Sequence, residues 1–323
     1  FILRFYKLGE IPNGLYQDET AIGYNAYSIL KTGNDEYGKF LPTYFKSFGD
    51  WKLPVYIYST IIPVKLFGLN SFAVRFPSAL AGFLTVVVLY FYLKSLTKDE
   101  NLSLVSAFLL AINPWHLHYS RATFEVSLCL LFFLCGALFL HLFFEREKKF
   151  GLILASLFFL LALYSYNLTR LLAPVFLIMF LFFYREKLKK ISPLNLILTS
   201  VISFLFLLPF LLTLFSGGGV SSAKGTLFFS SASVQAPILE FRSYLIDLPV
   251  LFNRFFFNKI ILNLWQYLIN LFSYFSVNFF FISGSSHGNH GIGNFGQFYL
   301  LELPLMIMGL ISLIGQIRQK IRW

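Results

Sequence analysis

Long apolar runs broken by short polar connectors recur along the chain, and 73–93, 102–114, 122–144, 150–165, 168–184, 194–215 and 298–316 each read as a helix in lipid. A hydrocarbon layer of ~30 Å takes roughly 20 helical residues. The runs are continuous rather than alternating, and backbone polar groups in lipid must pair internally, so a helical bundle fits and a β-barrel does not. The pattern predicts an all-α polytopic integral membrane protein, with 1–323 as one transmembrane domain. Two apolar pieces fit less simply. Segment 53–69 holds Pro54, Pro63 and Lys65, and segment 247–283 holds Asp247, Arg254 and Lys259. Both read as interfacial or re-entrant helices, with a hairpin pair inside 247–283 as the alternative.

Charge adds orientation. The chain carries 26 Lys and Arg against 15 Asp and Glu, a net charge of +11, on a background that is 57% hydrophobic and 20% aromatic. The basic residues gather in short connectors, between Lys94 and Lys98, at Arg146/Lys148/Lys149, at Arg185/Lys187/Lys189/Lys190 and at Arg318/Lys320/Arg322. That placement marks cytoplasmic ends and contacts with anionic lipid, not a nucleic-acid surface. Alternation then puts 7–72 outside as a first external loop with an interfacial helix, and 216–297 outside as a second large loop. The expected location is the plasma membrane, with polar chemistry on the extracytoplasmic face and the lipid bilayer itself as a partner. Phe1-Ile2-Leu3 reads as the tail of a preceding span, so the chain is expected to be truncated there, with its C-terminus as a second candidate for truncation. Cys129 and Cys135 share one apolar run and give no disulfide or zinc framework. Gly217-Gly218-Gly219 lacks the Lys-Ser/Thr ending of a phosphate loop and reads as a linker.

Carboxylates are costly beside lipid and usually functional, which singles out Asp18-Glu19 in the polar stretch 13–52. Asp18 is the candidate general base, while Glu19 is a second candidate or an orienting group. Lys52, Arg75 and Arg121 are cations at the same predicted outer surface, suited to a phosphate. Glu125 stands four residues after Arg121, so an i,i+4 ion pair within one helix competes with a site role for both. Arg170 and Glu302, charges at the membrane edge, are read as pairing residues, and His116 and His118 as edge residues of an amphipathic segment. His287 and His290 with Asp18 make only a weak ligand set, so no metal is called for.

The order of motifs resembles one family. Pro12-Asn13-Gly14-Leu15-Tyr16-Gln17-Asp18-Glu19, Gly49-Asp50-Trp51-Lys52-Leu53-Pro54, Ala73-Val74-Arg75-Phe76-Pro77-Ser78, Asn113-Pro114-Trp115 and Gly296-Gln297-Phe298-Tyr299 look like the GT-C glycosyltransferases. The protein O-mannosyltransferase and aminoarabinose-transferase branch, glycosyltransferase family 39-like, is the nearest in pattern. The resemblance implies a GT-C-type helix bundle and transfer of a sugar from a polyprenyl-phosphate donor to a hydroxyl of a protein or glycolipid acceptor. It implies Asp18 as base, Lys52 facing the donor phosphate, and Glu125 and His290 as a possible acidic residue and a donor contact. Asn289 stands where such enzymes frequently carry Arg, a departure that touches the donor contact. The competing class is a polysaccharide or lipid-linked sugar flippase, which predicts charges near mid-membrane and inverted repeats. Here the ionisable residues crowd the outer ends and no repeat is visible.

Overall fold

A computed structural model describes residues 1–48, 50–146, 150–188, 191–215, 258–285, 288, 290–293 and 295–321. They fall in two compact units, Phe1–Gly218 and Gly219–Trp323. The first contains α1 (Ile2–Phe5), α2 (Gln17–Thr32), a hairpin of β1 (Phe45–Ser47) and β2 (Asp50–Lys52), then α3 (Pro54–Phe67), α4 (Ser71–Thr97), α5 (Glu100–Ile112), α6 (Pro114–Arg121), α7 (Glu125–Arg146), α8 (Gly151–Leu163), α9 (Thr169–Phe183), α10 (Arg185–Leu188) and α11 (Pro193–Phe215). The apolar runs therefore become helices close to their expected bounds. Among the described residues α4 and α7 are long and apolar enough to cross a membrane by length and composition. The chain has the fold of an all-α polytopic membrane protein.

Local chemistry sets the ends. Asn70 caps α4 by accepting from Ala73 N at 2.9 Å, and Leu53-Pro54 starts α3 with proline at the first helical position. Helix α2 ends at Gly33, whose φ of 74° is the left-handed cap that glycine adopts without steric cost. Inside α4, Pro77 perturbs the hydrogen-bond ladder. The buried Tyr56 hydroxyl of α3 enters the gap, accepting from Ser78 N at 3.2 Å and donating to Val74 O at 3.2 Å.

The main core joins Ile22, Ala26 and Ile29 of α2, Phe45 of the hairpin, Tyr56, Ile57 and Val64 of α3, Ala73 and Ala81 of α4, and Leu128, Leu131 and Cys135 of α7. Segment 53–69, expected at the surface, is thus half-built into the bundle, although Ile62 and Leu66 of α3 remain 66% and 69% exposed. Such outward apolar residues suit lipid contact. Gly82 lets α4 approach α6, since an added Cβ would stand 2.3 Å from the Ser120 Cβ.

The second unit holds α12 (Lys259–Tyr274), a π-helical turn at Asn278–Ile282 and α13 (Glu302–Ile321). Asn258 caps α12 through Ile260 N and Ile261 N at 2.9 and 3.0 Å. Most of the second external loop expected from sequence, 216–257, lies outside the described residues, as do Gly217-Gly218-Gly219 and His287.

Candidate active site

Helix α2 opens with the acidic pair, and the two carboxylates diverge at once. Successive helical residues point about 100° apart. Glu19 turns inward and is fully buried, whereas the Asp18 side chain stays 41% exposed beside the Lys52 ammonium at 3.1 Å. Lys52 ends β2, opposite Phe45 of β1, so the hairpin delivers the cation to the start of α2. A carboxylate in the first turn also interacts favourably with the helix N-terminus.

Glu19 is saturated. Its Oε1 accepts from Arg75 Nε at 3.0 Å, Thr123 N at 2.9 Å and Thr123 Oγ1 at 3.0 Å. Its Oε2 accepts from an Arg75 terminal nitrogen at 3.0 Å and from Tyr16 N at 3.3 Å, the acidic half of a capping box. Arg75 is equally enclosed. Its remaining donors reach the carbonyls of Leu8 at 3.1 Å, Pro12 at 2.8 Å and Gly14. The phosphate role read for Arg75 finds no open face, and Glu19 no free lone pair for an acceptor. Together they tie the chain before α2 to α4 and to the α6–α7 junction, which fixes where Asp18 stands.

Arg121 also has other partners than the expected phosphate. Its guanidinium donates to the carbonyls of Leu3 and Tyr6, each at 2.7 Å, and of Ile11 at 3.1 Å. The single helix assumed across Arg121 and Glu125 is broken, because Ala122 is extended and ends α6 before Glu125 begins α7. A charge swap, Arg121→Glu with Glu125→Arg, is therefore expected to remain impaired in activity and folded yield, since no main-chain oxygen accepts from a glutamate. Recovery to near the wild-type level in a transfer assay would instead show a simple ion pair.

Glu125 faces a small open cleft with Trp51, Lys52, Leu53, Ser165, Tyr166 and Asn167. Burial, then the Glu125 carboxylate, raise the Tyr166 phenol, with Lys52 opposing. Burial, then Glu125 and Glu19, raise the Tyr16 phenol, which stays protonated and donates to Thr123 O at 2.7 Å. The structure thus gathers Asp18, Lys52 and Glu125, adding Tyr166 and Asn167. Tyr166 and Asn167 lie between the expected helices 150–165 and 168–184, and neither carries a charge that would single it out in the sequence.

His290 sits exposed in a turn of the second unit. Among the described residues no group of three His, Cys, Asp or Glu is arranged to hold a metal ion. His116, expected at an amphipathic edge, is instead buried against Arg4, with Nδ1 2.7 Å from a guanidinium nitrogen. Burial and then Arg4 push its imidazole down to about 3, so it accepts as a neutral ring.

Residues 52–212 match the family model for dolichyl-phosphate-mannose-protein mannosyltransferase. The match includes Lys52, Arg75, Arg121 and Glu125 and begins after Asp18-Glu19. The apo crystal structure of ArnT from Cupriavidus metallidurans is similar in fold, with a TM-score of 0.52 at 16% identity. The similarity covers 90% of this chain and 54% of that one, so the chain spans about half the length of that relative. No curated protein sequence matches.

Proposed function

From the premise that the chain is a GT-C-type membrane protein of the protein-mannosyltransferase-like branch, we propose that it transfers a sugar from a polyprenyl-phosphate donor to an acceptor hydroxyl on the extracytoplasmic face. The observation that carries this reading is the contrast within one acidic pair: Asp18 stays accessible beside Lys52, at the hairpin that also borders the Glu125 cleft, while Glu19 is sealed in. In the proposed step the acceptor oxygen attacks the anomeric carbon and its proton passes to Asp18. The bond from that carbon to the phosphate oxygen breaks, and the charge on the departing lipid phosphate is met by Lys52. Glu125 and the Tyr166 and Asn167 edge orient sugar or acceptor hydroxyls. Glu19 and Arg75 act as positioning residues.

The test is incubation of the membrane-purified protein with labelled polyprenyl-phosphate sugars, with consumption of one donor as the expected result. No consumption of any, with the protein folded, would turn the reading toward transport. Lys52→Ala removes a charge-assisted contact and is expected to weaken donor binding by roughly 10- to 100-fold, from about 1.5–3 kcal/mol. A donor titration of the variant measures it, and an unchanged KM and kcat would remove Lys52 from the site.

For orientation, a cysteine at position 39, which is exposed in the first loop, is expected to label with an impermeant thiol reagent in intact cells and one at position 147 to stay protected, because the short basic connectors face the cytoplasm. The reverse pattern would place the site on the other side.

A further inference from the structure

The hairpin that carries Lys52 has a second face. Side chains alternate along a strand, so Phe45, paired with Lys52, lies on the inner side while Lys46, paired with Trp51, lies on the outer one. Burial follows that alternation, with Phe45 and Ser47 buried and Lys46 exposed between them. Phe48, next outward, is 68% exposed and has φ of 45°. A bulky residue in the left-handed region is an outlier, held here with its ring toward the surroundings rather than the core. The Lys46 ammonium sits 5.4 Å from the centre of the Tyr37 ring, which is itself 59% exposed. The same pairing recurs on the outer face of α2, where Lys31 stands 5.7 Å from the Tyr27 ring.

We propose that this outer hairpin face, Tyr37, Lys46, Phe48 and Trp51, is a membrane-interface anchor that docks on anionic lipid headgroups. It thereby sets the depth at which Lys52 meets a lipid-linked phosphate, and in that respect the inference rests on the function proposed above. Aromatic rings beside ammonium groups match the bilayer interface in both polarity and charge: the rings sit at headgroup level, and the lysines meet phosphate. In the same unit, α4 and α7 are long and apolar enough to cross a membrane. Trp51 belongs to this face and also borders the Glu125 cleft, so the anchor is continuous with the candidate site.

A spin label on Phe48→Cys tests this in the full chain, because the native Cys129 and Cys135 are buried. The protein is reconstituted in phosphatidylcholine vesicles with and without phosphatidylglycerol, and collision with oxygen and with a nickel chelate is compared against lipid-tethered labels of known depth. A ratio matching the boundary between headgroups and acyl chains supports the anchor. Collision dominated by the chelate, as in water, overturns it. Shielding from both agents also overturns it, since the face would then be covered by protein. This readout needs no turnover, so it stands even if no sugar donor is consumed. In anionic vesicles Lys46→Ser is expected to raise the donor KM about fivefold, with kcat retained. An equal KM in both vesicle types, with wild type likewise indifferent to phosphatidylglycerol, counts against the anchor.

Discussion

Asp18→Asn is expected to abolish sugar transfer, with a loss of about 10²–10⁴-fold, while the protein stays folded and continues to bind donor. The substitution is nearly isosteric and removes the capacity to take the acceptor proton together with the negative charge that faces Lys52. Its structural cost is moderated because the Asp18 side chain is 41% exposed, although the Lys52 partner, 13% exposed, loses its counter-charge. Donor consumption by the variant and the wild type, each confirmed folded by its thermal transition, is the measurement. Equal rates would end the assignment of Asp18 as base, and the accessible Glu125 would become the carboxylate to replace next.

Glu19→Gln is expected to act through stability instead. The Glu19–Arg75 pair is 0% exposed on both sides, and removing one member of such a pair leaves a buried charge at a cost of about 3–5 kcal/mol. That is a large share of the roughly 5–15 kcal/mol that holds a typical native state. The expected result is a strongly lowered thermal transition or loss of folded protein after extraction. Pairing Glu19→Gln with Arg75→Met should recover part of the loss, because no uncompensated guanidinium remains, although the carbonyls of Leu8, Pro12 and Gly14 still lose their donor. A catalytic role for Glu19 predicts the opposite split: normal melting with lost turnover. A phosphate role for Arg75 predicts a raised donor KM at unchanged melting temperature. The pair of variants therefore separates the acidic neighbours, one by rate and the other by stability.

The helical character and the approximate bounds of the long apolar helices were legible because run length is a local property of the chain. Helix α2, the β1–β2 hairpin and α6 lie in stretches read as external loop or outside the expected spans, and they emerged only in the structure. Asp18-Glu19 was equally visible as a costly acidic pair beside apolar sequence. What the sequence could not assign was which partner each charge takes. Arg75, Arg121 and Lys52 are three similar cations near the same predicted surface, yet Arg75 binds Glu19 across 56 positions and Arg121 binds carbonyls more than a hundred positions earlier. Lys52, among them, stands beside the accessible Asp18. The break at Ala122, which separates Arg121 from Glu125, and the burial of His116 on Arg4 likewise depend on contacts between α6, α7 and the N-terminal segment. Helix formation is decided by neighbours three and four residues away, whereas the desolvation and pairing of a charge are decided by whichever distant residues the packing brings against it. The sequence by itself determined the bundle and the acidic pair, and only the tertiary structure decided that Asp18 faces outward while Glu19 holds the site together.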